Sequence, residues 1–213
     1  MQETVAVGLP GVALSPGDHI CAFYRGSEGR DEILLPYLKA GLESGDLCTV
    51  VLDQVEPDDL RERLAATGGD GQAADTPSPD WAGLGLFRSE DTYLRGGSFC
   101  PDTMLQFWDD SLRQGLAEGD FEFARSCGEM TWSLRQLPGV EALVEYESEL
   151  NRFLPRYPQV IMCLYDLDQF DGHVVVDLLR THPKLLLCGS LLDNPYYLEP
   201  EEFLATRSVD SGT

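Results

Sequence analysis

Residues 17–30 have the sequence GDHICAFYRGSEGR, and this stretch decides the fold. Residues 18–24 predict a strand, two glycines supply a tight polar turn, and the apolar periodicity that starts at Arg30 predicts a helix. In an open α/β sheet, ligands bind outside the carboxyl ends of the strands, at such strand-to-helix turns. This turn carries Glu28 and lacks the GxxxxGK[ST] pattern of a phosphate-binding loop. The stretch therefore predicts a nucleotide-binding architecture that no longer binds a nucleotide.

Strand and helix patterns alternate along the rest of the chain. Strands are predicted from apolar runs at residues 47–53, 84–89, 121–127, 160–166 and 184–188, with helical spacing in the segments between them. The alternation predicts an α/β fold of three layers, in which helices cover both faces of a parallel sheet. We expect one domain at residues 16–204, an irregular lead-in at 1–15 and a polar tail at 205–213. Residues 68–79 are expected to form a loop, and 191–204 a docked turn.

Charge and cysteine usage narrow the range of partners. The net charge is −22, whereas nucleic acids and anionic membranes are bound through Lys/Arg patches, so we expect neither as a direct partner. The six cysteines include no CxxC pair, and four of them (48, 127, 163 and 188) lie in apolar runs typical of the core. Since the sequence shows no leader or membrane-length apolar run, we expect a cytoplasmic protein with free thiols.

The first strand carries a histidine and a cysteine on one face. His19 and Cys21 are two residues apart, so their side chains point the same way. Such a pair could supply nitrogen and sulfur ligands to a metal, although a complete site needs further ligands. The alternative is a core cysteine beside a histidine that is hydrogen-bonded at the strand end.

A second candidate segment, residues 128–132, is expected just past a strand. Glu129 could receive a ligand, or it could form an ion pair with Arg125 or Arg135. Trp132 could line an apolar pocket with a few placed polar groups, or it could be a core aromatic residue.

The third candidate segment ends the strand at residues 160–166. Cys163 and Tyr165 share a face, while Asp166 lies at the carboxyl rim, where an acid often caps the following loop. His182 precedes a proline and is expected to cap a helix. Because parallel strands end at one edge, we expect one ligand site built from His19, Cys21, Tyr24, Glu129, Trp132, Cys163, Tyr165 and Asp166.

The sequence lacks two common catalytic signatures. The GxSxG nucleophile elbow and the GxGxxG dinucleotide turn are both missing. We therefore expect a binding protein with no catalytic residues, cofactor or metal. A metal-binding or catalytic protein that uses His19, Cys21 and Glu129 is the alternative, and a pure protein-interaction module is a further one.

Seven short motifs, in order, resemble those of one family, the methanogen/methylotroph, DcmR-type sensory (MEDS) domain. The motifs are residues 17–21 with Phe23 and Tyr24, the helix end at 38–46, 128–132, 149–151, 163–166 with Phe170, 182–183, and 194–197 with Pro200. The resemblance spans residues 15–204, which is nearly the whole chain.

The resemblance implies a RecA/KaiC-like core with a degenerate phosphate loop. It also implies a sensor of small hydrocarbon derivatives, and members of the family are usually joined to histidine kinase, anti-sigma-type or DNA-binding output modules. We therefore expect a stand-alone sensor that signals to a separate histidine kinase or anti-sigma-type regulator. Whether the chain forms homo-oligomers is left open by the sequence.

Overall fold

The computed structural model describes residues 5–67, 81–117 and 121–210, and the loop expected at 68–79 lies outside these ranges. Two short strands, β1 (Val5–Ala6) and β2 (Ala13–Leu14), form an antiparallel hairpin in the segment that was expected to be irregular. In the described ranges, one further sheet contains β3 (His19–Tyr24), β4 (Leu47–Leu52), β5 (Leu84–Arg88), β6 (Ala124–Glu129), β7 (Gln159–Asp166), β8 (Lys184–Leu187) and β9 (Ser190–Asp193).

The strand order across this sheet is β5-β4-β6-β7-β3-β8-β9. The first six of these strands are parallel, which confirms the predicted α/β class. The last strand, β9, runs antiparallel to β8 and forms an edge hairpin where only a docked turn was expected. The hairpin turn contains Cys188 and Gly189 at φ values of 50° and 73°, so Cys188 lies at an exposed corner and not in the core.

Six α-helices of the described residues pack around the sheet: α1 (Gly26–Ser44), α2 (Pro57–Ala66), α3 (Pro101–Ala117), α4 (Leu143–Phe153), α5 (Gly172–Thr181) and α6 (Pro200–Asp210). Helix α1 ends at Gly45, whose φ of 76° is the left-handed conformation predicted for that position. Helix α6 occupies residues 205–210, which were expected to be a polar tail. Within the described ranges, no helix is both long and apolar enough to cross a bilayer.

The helices divide the core into two halves. Helices α1 and α2 cover one face of the sheet, which we call the α1 face, together with the β1–β2 hairpin. Helices α3, α4 and α5 cover the other face, which we call the α4 face, and α6 packs outside α4 and α5. Every residue of β3, β6 and β7 is buried, so these three central strands contribute side chains to both halves.

The direction of a side chain follows from its position along each strand. In β3 and β7, odd-numbered residues such as Cys21 and Cys163 face α4, and even-numbered residues face α1. In β6 the parity is reversed, because Gly128 pairs with Cys163 and therefore Cys127 and Glu129 face α1. Glu129 is the last residue of β6, whereas the sequence placed it just past the strand.

Candidate functional site

The eight predicted ligand-binding residues separate by face of the sheet. The α4 face receives His19, Cys21, Cys163, Tyr165 and Trp132, and the α1 face receives Tyr24, Glu129 and Asp166 at the carboxyl edge. The carboxyl ends of β3, β6 and β7 do lie at one edge, as predicted. However, the reversed parity of β6 turns Glu129 away from His19. The structure therefore does not bring Glu129 together with His19 and Cys21, as the alternative set requires.

Glu129 is fully buried, and the protein itself provides its hydrogen-bond donors. Its Oε1 accepts from Nη1 of Arg30 at 3.0 Å, and its Oε2 accepts from the backbone N–H groups of Asp53 at 2.6 Å and Gln54 at 3.0 Å. Arg30 is itself only 2% exposed and comes from the first turns of α1. The pair therefore ties α1 to the ends of β4 and β6, which is a structural role.

The two arginines predicted as partners of Glu129 bind other carboxylates. Nε of Arg125 donates to Asp46 at 2.6 Å, and Nη2 of Arg135 donates to Asp53 at 2.6 Å. The prediction failed because Arg30, which lies far from Glu129 in sequence, reaches it from α1. The Arg135–Asp53 pair lies with Arg30 and Glu129 at the carboxyl edge, whereas the Arg125–Asp46 pair lies at the amino ends of β4 and β6.

Asp166 caps the loop that follows β7. Its Oδ1 accepts from the backbone N–H of Asp168 at 3.0 Å and from that of Gly26, at the start of α1, at 3.3 Å. Tyr24 is buried beside it, and among the described residues its hydroxyl has no hydrogen-bond partner. Burial and then the charge of Glu129 raise the pKa of Tyr24 well above its usual range, which keeps the phenol neutral.

On the α4 face, four buried polar side chains form a cluster that we call the Glu147 cluster. It consists of His19 at the start of β3, Cys163 in β7, His182 just after α5, and Glu147 in α4. Glu147 Oε2 lies 3.2 Å from Nε2 of His19, 3.3 Å from Nε2 of His182 and 3.4 Å from Sγ of Cys163. None of the four residues is more than 1% exposed.

Neighbouring groups fix the orientation of this cluster. Nδ1 of His19 lies 3.1 Å from Oδ1 of Asn151, and Nδ1 of His182 lies 2.9 Å from the carbonyl oxygen of Leu178. The Tyr165 hydroxyl donates to Oε1 of Glu147 at 2.5 Å. His182 thus caps α5 as predicted, and its other ring nitrogen points at Glu147.

The protonation states in the Glu147 cluster follow from burial and mutual contact. Burial alone would raise the pKa of the Glu147 carboxyl, but His182 and His19 hold it well below its usual range. Burial, followed by the neighbouring His182, lowers the pKa of His19. Burial and then Glu147 raise the pKa of the Cys163 thiol. In the protein alone, the cluster therefore holds an ionised carboxylate, a neutral His19 ring and a protonated thiol.

An aromatic cluster on the same face surrounds Trp132. The Trp132 ring stacks on Tyr93 with centroids 4.5 Å apart, and it meets Phe99 at the same distance. Tyr146 closes the cluster with its ring edge toward Tyr93 and Phe99, and its hydroxyl accepts from Nε1 of Trp108 at 2.7 Å. Nε1 of Trp132 is buried and has no hydrogen-bond partner among the described residues.

The aromatic cluster and the Glu147 cluster are contiguous. Tyr146 and Glu147 are adjacent on α4, and the Tyr93 hydroxyl is hydrogen-bonded to Tyr146. The Tyr93 hydroxyl lies directly against β6 at Gly128, since a Cβ added to this glycine would be 2.4 Å from it. Gly128 pairs with Cys163 of β7, so the hydroxyl also lies beside the Glu147 cluster. The α4 face therefore has an apolar aromatic end and a polar end that share one helix.

Residues 89–99 form the cover of the aromatic cluster. Tyr93, Leu94 and Phe99 point inward, and the glycines at 96 and 97 are exposed at positive φ. Outside this segment lies an open groove of ≈ 550 Å³, which is lined partly by Thr92, Arg95 and residues of α3. The segment thus has aromatic rings on its inner side and space on its outer side.

Sequence reasoning missed Glu147 entirely and gave His182 only a capping role. The signal for Glu147 was its place between Leu143, Tyr146 and Leu150, which puts a carboxylate on the apolar stripe of an amphipathic helix. A charged residue at such a position needs a buried partner. The partner could not be named, because nothing in the sequence states which strands lie beneath α4.

The comparisons with known proteins agree with this architecture. The family model of the MEthanogen/methylotroph, DcmR Sensory domain (MEDS) matches residues 18–183. The transcriptional repressor DcmR of Methylorubrum extorquens (strain DSM 6343 / CIP 106787 / DM4) is 26% identical over 187 residues, which are 82% of this chain. The chain spans 61% of the length of that curated relative.

Solved structures with the same fold include two proteins of Pyrococcus horikoshii. The KaiC-like protein PH0186 of strain OT3 superposes with a TM-score of 0.60 at 14% identity, covering 87% of this chain and 80% of its own. The uncharacterized protein PH0321, solved in complex with an unknown peptide, gives a TM-score of 0.58 at 17% identity over 81% and 77%. The fold is therefore KaiC-like, and the chain belongs to the MEDS family of sensory domains, which supports a sensory and regulatory role.

Proposed function

We propose that this chain senses a small, mostly apolar hydrocarbon derivative that carries one hydrogen-bond acceptor. The molecule binds within the aromatic cluster on the α4 face. The observation that carries the proposal is the buried indole N–H of Trp132, which has no acceptor among the described residues although aromatic rings surround it. A buried donor without an acceptor costs about 1–3 kcal/mol, so a ligand that supplies an acceptor gains that free energy on binding.

The surroundings of Trp132 suit such a ligand. Tyr93, Phe99 and Tyr146 provide apolar ring surface, which is the usual lining of a small-molecule site. By contrast, Glu129 and Asp166 at the carboxyl edge already have their hydrogen-bond donors. In this proposal Tyr24, Glu129 and Asp166 support the fold, and the ligand contacts lie on the α4 face.

Signalling follows from the position of residues 89–99. Since Tyr93 and Phe99 pack directly on Trp132, a molecule entering the cluster displaces this segment outward toward the open groove. The ligand then favours one conformation of the segment over the other, and its differential affinity sets the size of the response. The exposed side of the segment presents that change to another protein.

The partner in this proposal is a separate regulatory protein of the histidine kinase or anti-sigma type. The matched relative is a transcriptional repressor of which this chain spans 61%, which supports a link to transcriptional regulation. The proposal involves no catalysed reaction and no nucleotide. The net charge of −22 favours signalling through a protein over direct contact with DNA.

A direct test titrates the full chain with four-carbon probes that differ only in their polar group. Butanone and 1-butanol each offer an acceptor, whereas n-butane offers none and butylammonium carries a charge that the cluster does not pair. We expect butanone and 1-butanol to raise the thermal unfolding midpoint saturably and to change the tryptophan fluorescence. The other two probes should produce no saturable change.

Two variants locate the response. Trp132→Phe keeps a ring and removes the N–H, so the dissociation constants of butanone and 1-butanol should rise roughly two- to tenfold, the equivalent of about 0.5–1.5 kcal/mol. Trp81→Phe is the matched control, because Trp81 packs in the core half of the α1 face and should leave both affinities unchanged. Wild-type protein that gives no saturable response to either acceptor probe would overturn the proposal.

A further inference from the structure

The spacing of the Glu147 cluster matches the ligand shell of a metal ion. One donor atom from each of His19, Glu147, Cys163 and His182 lies within 4.8 Å of all the others. The contacts of Glu147 Oε2 are 3.2, 3.3 and 3.4 Å long, and Sγ of Cys163 lies 3.6 Å from Nε2 of His19. Tetrahedral zinc with metal–nitrogen and metal–oxygen bonds of about 2.0–2.2 Å and a metal–sulfur bond of about 2.3 Å has edges of roughly 3.3–3.6 Å.

Hydrogen bonds at the far side of each ring fix the tautomers of both histidines. The carbonyl oxygen of Leu178 only accepts, so Nδ1 of His182 carries the proton. The Asn151 amide N–H₂ donates to the Thr181 carbonyl at 2.8 Å, which leaves its oxygen to accept from Nδ1 of His19. In its neutral form, each ring therefore presents an unprotonated Nε2 to Glu147.

With both rings in these neutral tautomers, acceptors face one another. Two Nε2 lone pairs point at a carboxylate oxygen, and the Cys163 thiol can supply only one proton to the three of them. Nε2 of His182 accordingly has no hydrogen-bond partner among the described residues. Protonating both rings would place two imidazolium ions with centroids 4.1 Å apart in the core. A metal cation at the centre satisfies every one of these lone pairs.

The charges also balance. A divalent ion, a carboxylate from Glu147, a thiolate from Cys163 and two neutral imidazoles sum to zero, which removes the penalty of burying an uncompensated charge. The Cys163 proton leaves to solvent when the metal binds. In metal sites, hydrogen bonds from neighbouring groups orient the ligating histidines and carboxylates. Here Asn151 contacts His19, the Leu178 carbonyl contacts His182, and Tyr165 contacts Glu147.

We propose that His19, Glu147, Cys163 and His182 bind one divalent transition-metal ion in tetrahedral geometry, with Zn²⁺ as the reference metal. Two imidazoles, one thiolate and one carboxylate form a donor set that suits zinc and its first-row neighbours. All four positions are taken by protein side chains, so this is a closed site of the structural kind. The metal joins β3, β7, α4 and the end of α5. The proposal does not depend on the ligand sensed at Trp132.

The test is the metal content of the full chain purified without a metal-affinity step from zinc-supplemented medium. Elemental analysis should find about one ion per folded chain. Cys163→Ser, His182→Gln and Glu147→Gln should each lower the content at least fivefold. Cys127→Ser is the matched control, because Cys127 is an equally buried cysteine that faces α1, and it should retain the metal.

Cobalt provides a readout that does not require the variants to fold. Wild-type protein from cobalt-supplemented medium should show the intense visible bands of a tetrahedral ion and a thiolate-to-metal charge-transfer band. Folded wild-type protein that contains no stoichiometric metal and lacks these bands would overturn the proposal. So would loss of metal in Cys127→Ser with retention in Cys163→Ser. Trp132→Phe should keep its metal while its probe affinity falls, so failure of one proposal is distinguishable from failure of the other.

Discussion

The reactivity of single cysteine residues follows from their immediate surroundings. Cys21, Cys48, Cys127 and Cys163 are buried, whereas Cys100 and Cys188 are exposed. Burial raises the pKa of Cys48 to about 12, so its thiol is both inaccessible and protonated near neutral pH. Cys100 precedes α3, and hydrogen bonds from the Thr103 side chain and then its backbone lower the pKa of the Cys100 thiol.

We therefore predict that iodoacetamide modifies Cys100 ahead of the buried thiols. Because its pKa is lowered, the thiolate of Cys100 is present at a lower pH than that of a free cysteine. Its labelling rate should reach half its maximum at a correspondingly lower pH than that of N-acetylcysteine. Peptide mass spectrometry of the native chain over a pH series measures this rate.

Thr103→Val tests the cause of the effect, because it removes the hydroxyl and keeps the shape of the side chain. The half-maximal pH of Cys100 should move upward in this variant. An unchanged profile would assign the shift to something other than Thr103. Faster labelling of Cys127 than of Cys100 in the native protein would contradict the burial on which the prediction rests.

At the scale of residues, the sequence predicted those parts of the site that lie on single strands. Alternation along β3 and β7 correctly placed His19 with Cys21, and Cys163 with Tyr165. It could not combine these pairs with Glu147, because that contact depends on which helix covers which strands. The partner of Glu129 was unpredictable for the same reason, since Arg30 lies on α1 and Glu129 at the end of β6, and the sequence does not state that α1 covers this strand end.

The start of α1 differs from the strand-to-helix turn of a phosphate-binding loop. The helix begins at Gly26, two residues after β3, and its first backbone N–H already faces the Asp166 carboxylate at 3.3 Å. Glu28 lies in the first turn, and the guanidinium of Arg30 is held by Glu129 and Asp31. A phosphate placed here would meet carboxylates where a phosphate site presents free N–H groups and a lysine.

We predict that calorimetry will detect no binding of ATP or GTP at millimolar concentration, with or without Mg²⁺. The physical reason is repulsion by Asp166 and Glu28, together with the burial of Arg30 in its ion pairs. No ATPase activity is expected. Micromolar affinity for ATP would contradict the structural account of this turn.

Most helices and strands could be predicted from the sequence, but several elements and the bounds of β6 could not. Hydrophobic periodicity located the strands of the parallel core and helices such as α5. The pairing of β9 with β8 and the helix α6 were missed, because residues 190–193 and 200–207 are partly exposed and give a weak pattern. The face that Glu129 occupies was not predicted, because the strand was expected to end at residue 127 and Glu129 to lie beyond it, whereas β6 continues to Glu129.

At the scale of the whole molecule, the two faces of the sheet differ in what surrounds their buried polar groups. On the α1 face and at the carboxyl edge, Arg30, Glu129 and Asp53 bind one another and join strand ends to helices. Buried polar atoms without partners among the described residues lie on both faces: the hydroxyls of Tyr24 and Tyr37 on the α1 face, and Nε1 of Trp132 and Nε2 of His182 on the α4 face. The Trp132 N–H is surrounded by aromatic rings. A buried donor without a partner gains free energy when a ligand supplies an acceptor, and the aromatic rings around Trp132 add the apolar contact that a small ligand needs. The central claim is that sensing takes place on the α4 face.

The most direct test of that claim is amide hydrogen exchange of the full chain with and without saturating butanone. The account predicts altered exchange in residues 89–99, which the ligand displaces, and slower exchange in α4 (Leu143–Phe153), with little change at the carboxyl edge. Slower exchange confined to residues 53–54 and 166–168 would instead place the ligand at the carboxyl edge and contradict the claim.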